Sequence, residues 1–460
     1  MHPPAPAWLA ELNAAATHWG QVERLPPVAF GPALEVERYR LANGLEVALI
    51  EDHSAPVVAY HTWFRVGSRH ERPGKTGIAH LFEHLMFRET ETLPEGEFDR
   101  RLEEIGAENN ASTWLDWTSY TINVPAESLP LVVGLESERM SRLVLSPEIV
   151  ASEKEVVANE RRYRVEDDVE GTANEVLWST AFTCHGYGIP TIGWMADIEG
   201  FTAEDCRAFY RTYYAPNDAI VVAAGDVTPR ALVELVSRAY GGLPPAELPI
   251  EDVHPEPPQT DVRTRELRRP TPTEKISVGW HGPAMGDFDH PAVSLLAEVL
   301  TGGRASRLHA RLVRELEIAT DVRVFVGPFR DPSLIEVSVA ARPGHTAEEL
   351  VDALDRELER VRAEPVLPDE LERGRARLEL ALLSGLETAE GKASTVGFYE
   401  TVLRRPAGAF ERLEALAALG PSDLLRVARR YLRADARTVV IVRPEGTPGD
   451  ATTGDGEAAA

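Results

Sequence analysis

Gly77-Ile78-Ala79-His80-Leu81-Phe82-Glu83-His84-Leu85-Met86-Phe87 is the stretch on which the reading of this chain turns. Ile78, Leu81, Phe82, Leu85 and Met86 keep the i, i+3, i+4, i+7, i+8 spacing of a helix that buries one stripe. His80, Glu83 and His84 fall on the opposite stripe, because residues four apart share a helix face. One rigid element can then aim two imidazoles at a single ion and set a carboxylate beside them. A catalytic zinc takes three protein ligands and keeps a fourth position for water, whose pKa falls towards about 7, so a neighbouring carboxylate can accept its proton. This is the layout of a zinc peptidase site, with His80 and His84 as ligands and Glu83 as general base.

Two histidines leave such a site one ligand short, so a second helix must supply the third. The segment from Ser146 to Arg162 opens with a Ser N-cap, Pro147 at the first helical position and Glu148 in the first turn, which predicts a helix through at least Glu160. Glu153 and Glu160 are seven apart and share a face, whereas Glu155 is rotated by about 200° from Glu153 and points to solvent. Glu160 is therefore the third ligand of one zinc ion per chain. Glu153 is the second catalytic carboxylate, one that orients a ligand or tunes the metal.

Taken together, these residues resemble the inverted-zincin peptidases of the M16 (pitrilysin) family, in its short-chain, mitochondrial-processing-peptidase-like branch. The resemblance runs from Asn43-Gly44-Leu45-Glu46-Val47 through Gly67-Ser68-Arg69 and Glu71 to the two histidines, and then to Glu153 and Glu160 after a gap of 76 residues. Asn110-Ala111, followed by Tyr120, is similar to a family stretch in which the Asn contacts the substrate main chain, which makes Asn110 and Ala111 substrate-binding candidates. The implied fold is α+β: two homologous αβ domains of the LuxS/MPP-like metallohydrolase type, each a mainly antiparallel sheet packed by helices, closing as a shell around a substrate chamber.

The chain itself looks duplicated. Ala208 to Val222 and Val427 to Val440 both read as helix, turn, strand, and Ser294 to Leu300 occupies the place of the His80 to Met86 segment, after a strand near Lys275 to Trp280. The metal residues are missing from the second copy. The expected division is a lead-in at 1–35, a zinc-binding domain at 36–243, a stiff Pro-rich connector at 244–272, a degenerate domain at 273–446 and a disordered tail at 447–460. Self-sufficient members of the family carry an Arg and a Tyr seven apart in the second half. Here Val313 and Thr320 stand at those positions; Val makes no hydrogen bond and Thr has much shorter reach. The resemblance thus implies a catalytic subunit paired with a homologous zinc-free subunit that bears the Arg and Tyr, with a homodimer as the other possibility.

Composition sets the outer bounds. The chain has 460 residues, 43% hydrophobic, enough for two ordinary cores. Its formal charge of −26 argues against nucleic acid and anionic lipid as partners. No apolar run is long enough to span a membrane and no cationic leader precedes the lead-in around Trp8 to Trp19, so a cytoplasmic location is expected. Two cysteines, Cys184 and Cys206, make no disulfide framework. The function these features imply is zinc-dependent endopeptidase action on peptides or small unfolded polypeptides. The alternatives are a non-catalytic scaffold and a zinc-dependent peptide-binding homologue.

Overall fold

The computed structural model describes residues 6–16, 20–251 and 254–446. The 447–460 tail and Trp19 of the lead-in lie outside the described residues. Twelve strands among them make two sheets. The first comprises β1 (Glu23–Phe30), β2 (Leu34–Arg40), β3 (Glu46–Glu51), β4 (Val57–Phe64), β5 (Glu108–Thr113), β6 (Thr118–Pro125) and β7 (Ala219–Gly225), in the order β1-β2-β3-β7-β4-β6-β5. The second comprises β8 (Arg263–Arg269), β9 (Lys275–His281), β10 (Ala319–Val326), β11 (Leu334–Ala341) and β12 (Thr438–Pro444), in the order β10-β11-β9-β12-β8.

The duplication is explicit in the pairing. β3 runs parallel to β7, and β7, β4, β6 and β5 then pair antiparallel in turn. In the second sheet β8 runs parallel to β12, and β12, β9, β11 and β10 follow antiparallel. β3-β7-β4-β6-β5 and β8-β12-β9-β11-β10 are the same ladder built twice, with β1 and β2 added to the first.

Among the described residues the helices are α1 (Ala7–Ala15), α2 (Ile78–Leu85), α3 (Glu97–Glu104), α4 (Leu129–Arg142), α5 (Pro147–Arg161), α6 (Val169–Ala181), α7 (Met195–Gly200), α8 (Ala203–Tyr213), α9 (Pro229–Tyr240), α10 (His290–Thr301), α11 (Ala347–Ala363), α12 (Pro368–Gly385), α13 (Ala389–Leu403), α14 (Gly408–Ala418) and α15 (Pro421–Tyr431). None is long and apolar enough to cross a membrane. The cysteines are unpaired, Cys184 exposed and Cys206 buried.

Two compact units result: the second takes α6 from the earlier stretch of sequence, and the first takes the end of α12, α13 and nearly all of α14 from the later one. The first unit holds the described residues within Met1–Arg161, Cys184–Pro255 and Glu379–Ala417; the second holds those within Arg162–Thr183, Glu256–Leu378 and Ala418–Ala460. β4 is buried on both faces: Val58, Tyr60 and Phe64 join the core formed with α2, α4, α8 and α9, while the alternate residues meet α13. Gly397 of α13 lies so close to Trp63 that a Cβ would come within 2.2 Å of its indole nitrogen. Lys392 of the same helix reaches Asp52 at 2.8 Å. In the second unit α6 covers β9, β12 and β8.

The units therefore depart from the continuous blocks 36–243 and 273–446, because packing follows the second face of each sheet and not chain order. Two further spans depart as well. β1 lies inside the 1–35 lead-in, and β8 lies inside the 244–272 connector. β8 reads Arg-Thr-Arg-Glu-Leu-Arg-Arg, and as an edge strand with little buried surface it carries no apolar alternation for a sequence reading to find.

The seating of α6 makes one prediction. Glu336 of β11 is buried and accepts from Trp178 Nε1 at 2.8 Å and Asn174 Nδ2 at 3.1 Å, and burial raises its carboxyl from 4.5 to about 7. Between those values the folded state holds a proton that the unfolded state has lost, so stability declines as pH rises from about 4.5 to about 7. Glu336→Gln removes that decline, which is on the order of 3 kcal/mol. Chemical denaturation of both proteins at about pH 5 and about pH 8 measures the difference.

Candidate metal centre

α2 starts at Gly77, whose φ of 90° lies in the left-handed region. Ile78, Leu81, Phe82 and Leu85 are buried, and the Phe82 ring sits 5.1 Å from Phe209 and 5.0 Å from Tyr214, centroid to centroid. That stripe fixes the rotation of the helix and turns His80, Glu83 and His84 away from the core. The first turn is held by Glu71, which accepts from Gly77 N at 2.7 Å and Ala79 N at 2.8 Å. Burial pushes the Glu71 carboxyl up while these two amides pull it down.

α5 packs against α2. Ser146 Oγ accepts from Ile149 N at 3.2 Å, the cap that its position implies, and Glu153 and Val157 are buried while Glu155 is exposed. Glu160 Oε2 lies 3.2 Å from His84 Nε2 and 3.6 Å from His80 Nε2. Each of the three residues offers a ligand atom within 4.8 Å of the others, and among the described residues no other set of His, Cys, Asp or Glu does so. Donors around a tetrahedral zinc, each about 2.0–2.1 Å from the ion, stand about 3.4 Å apart. Two imidazole nitrogens and one carboxylate oxygen at these separations fit zinc in both spacing and chemistry.

Glu83 lies on the same stripe. Burial raises its carboxyl and so does Glu160, while Thr113 and His84 favour the charged form. Glu153 places Oε2 3.6 Å from His84 Nδ1, on the side of the ring away from Glu160, and its Oε1 accepts from Arg88 Nε at 2.5 Å. Asn110 and Ala111 lie on β5, the edge strand of the first sheet, beside α2. The Asn110 side chain is exposed, and its Oδ1 accepts from Ala111 N at 2.9 Å, so Asn110 engages an amide of its own edge strand.

The structure thus brings His80, Glu83, His84, Glu153 and Glu160 together and sets Asn110 and Ala111 on the neighbouring strand. Sequence reasoning missed the neighbours: Arg88 on Glu153, Thr113 beside Glu83, and the capping role of Glu71. Arg88 follows His84 by four residues, a spacing that could have flagged it. In the second unit Val313 lies in a π-helical turn (His309–Glu315), and Thr320 on β10 donates through Oγ1 to Ala340 O at 3.3 Å. Arg314, next to Val313, donates to Arg304 O at 3.3 Å.

The chain is similar to known proteins along most of its length. Residues 46–194 match the family described as insulinase (peptidase family M16), and residues 200–378 match the peptidase M16 inactive domain. The chain is 30% identical over 413 residues to the zinc protease PqqE of Helicobacter pylori, covering 89% of this chain and 93% of that protein. It is 24% identical over 413 residues to the mitochondrial-processing peptidase subunit beta of Blastocladiella emersonii, covering 88% of each. The crystal structure of a protease from Helicobacter pylori is similar at a TM-score of 0.85 and 30% identity, over 89% of this chain and 99% of that one. A chain of complex III2 from Candida albicans shares the fold at a TM-score of 0.73 and 16% identity, over 88% and 95%.

The entry to α2 is tight enough to test. A Cβ on Gly77 would come within 2.4 Å of Ile192 O and 2.8 Å of Gly193 Cα, at a φ that L side chains avoid. Gly77→Ala is expected to lose about 1–3 kcal/mol of stability, read as a lower denaturation midpoint.

Proposed function

Since the chain belongs to peptidase family M16, the insulinase family, we propose that it is a zinc-dependent endopeptidase that cleaves peptides or small unfolded polypeptides. One observation carries the reading: two nitrogens from α2 and one oxygen from α5 converge with a carboxylate at Glu83, next to an edge strand. His80, His84 and Glu160 would hold the ion. The chemistry a zinc ion supplies in such a three-ligand site is Lewis acidity toward water and toward a peptide carbonyl.

Glu83 takes a proton from water onto a carboxylate oxygen and returns it to the leaving amine nitrogen, so no covalent intermediate with the protein is needed. Burial raises its carboxyl, which makes it a stronger base than an exposed glutamate. Glu153 Oε2 orients the His84 ring through Nδ1. The substrate lies extended along β5, where main-chain pairing gives affinity with little demand on sequence. Asn110 gives up its bond to Ala111 N when a peptide arrives and turns to the incoming backbone.

The scaffold and peptide-capture alternatives do not account for Glu83. Holding a peptide needs no base, and a scaffold needs no donors at metal spacing. In the second half, Val313 offers no donor at the position where self-sufficient relatives carry Arg, and the Thr320 hydroxyl is engaged with Ala340 O. The active species is therefore a heterodimer with a zinc-free homologue that carries the Arg and Tyr.

Two measurements test this. Glu83→Gln should fold and retain zinc while hydrolysis of a quenched fluorescent peptide library falls roughly a hundredfold or more; a variant that still cuts would take the base role from Glu83. The wild-type chain alone should bind zinc without appreciable cleavage, and adding the zinc-free homologue should switch cleavage on. Turnover by the chain alone, above the Glu83→Gln blank, would remove the need for a partner.

A further inference from the structure

The two copies of the ladder differ at one edge. In the first unit β3 runs parallel to β7, and β2 pairs antiparallel with its other side. Across that joint Arg40 stands directly opposite Glu46, and their side chains meet at 3.1 Å. β8 holds the place of β3 in the second unit, parallel to β12, and among the described residues no strand pairs with its outer side. An unpaired edge presents a row of backbone donors and acceptors that a further strand can complete.

The side chains of β8 decide which strand that is. It carries four arginines and one glutamate in seven residues, in a chain with 48 basic residues against 74 acidic ones. Glu266 is engaged by Arg443, whose Nε lies 3.0 Å away, and Arg263 donates to Thr180 O at 3.0 Å and to Ala181 O at 2.8 Å at the end of α6. Arg265 is exposed and donates to the carbonyl of its neighbour Thr264 at 3.0 Å; among the described residues neither Arg265 nor Arg269 is paired with a carboxylate. Strand alternation sets Arg265, Leu267 and Arg269 on one face. Such a row repels a second copy, whose own β8 would set arginine against arginine, and attracts a strand of opposite sign.

We propose that the outer edge of β8 is a docking site for an extended acidic segment of a partner protein, which adds antiparallel as β2 does in the first unit. Residues directly opposite on neighbouring strands share a face. The segment that fits therefore puts an acid opposite Arg265, an apolar residue opposite Leu267 and a second acid opposite Arg269. Main-chain bonds supply its affinity, and these three positions supply its register. No residue of the donor cluster takes part.

A fluorescein-labelled peptide with Glu-Thr-Val-Thr-Glu at its centre tests this on the full-length chain, by fluorescence anisotropy and by hydrogen exchange. Saturable binding is expected, with exchange slowed at the β8 amides and unchanged at β5. Arg265→Glu/Arg269→Glu should weaken binding by about tenfold or more, and a peptide with Lys in place of both Glu should prefer that variant to wild type. The neutral pair Arg265→Gln/Arg269→Gln should fall between, and it decides the matter if the reversed pair does not fold. Proline in place of both Thr removes two main-chain donors and should abolish binding. A proline peptide that binds as well as the original would reduce the edge to a patch of charge. Slowed exchange at β5 alone, or binding indifferent to the arginines, would put the peptide elsewhere, and protection of β8 that grows with protein concentration without peptide would make a second copy the occupant. Any of these results, or no binding at all, overturns the proposal.

Discussion

The donor cluster of the first unit depends on α2 and α5 packing so that one carboxylate oxygen of Glu160 stands 3.2 Å and 3.6 Å from two imidazole nitrogens. No single element can supply that geometry. A helix places two side chains on a common face at i and i+4, but a third donor at tetrahedral spacing must approach from another direction. The stripe of Ile78, Leu81, Phe82 and Leu85 therefore has a function beyond burial, since its insertion between the sheet and α8 sets the angle at which His80 and His84 meet α5. Gly77 and Glu71 hold the start of that helix. The glycine allows backbone to approach backbone at Ile192 and Gly193, and the glutamate closes two amides that the first turn leaves open.

The same geometry concentrates negative charge. Glu83, Glu153 and Glu160 lie within one small region, and like charges at low dielectric disfavour one another. Each has a distinct compensation: Glu160 faces the two histidines, Glu153 is held by Arg88, and Glu83 has neighbouring groups that only partly offset its burial. Glu83, whose carboxyl burial raises, is the one to which we assign the proton transfer. Ligand and base are told apart by their surroundings, although all three side chains are chemically the same.

How much of this is legible in the sequence follows from where the information sits. Helical periodicity is local, so the rotation of α2, the cap at Ser146 and the shared face of Glu153 and Glu160 can all be read without coordinates. The duplication is legible for a similar reason, because helix-turn-strand units recur with their apolar spacing intact. What could not be read is long-range or unpatterned. β8 is charged along an exposed edge, α6 and α13 trade places between units through faces remote in the chain, and Arg88 meets Glu153 across 65 residues. Thr113 closes a stretch that resembles a substrate-binding pattern, but its nearness to Glu83 depends on where the edge strand lies against α2.

The second unit shows that fold and chemistry are separable within this one chain. α10 occupies the place of α2 and keeps Leu295, Leu296, Val299 and Leu300 buried, so it packs its sheet as α2 does. The polar stripe has changed: Ser294 stands for His80, Ala297 for Glu83 and Glu298 for His84, and Glu298 pairs with Arg377 at 2.8 Å. The five-strand ladder survives with no donor set among its described residues, because strand order and register answer to the apolar faces. Glu317, at a φ of 55°, shows the second copy tolerating a non-glycine residue in the left-handed region at the turn into β10. A site held together by three donors from two helices has no such tolerance. In the duplicated architecture both ladders keep the same strand order, and among the described residues only the first adds a donor cluster at metal spacing to it.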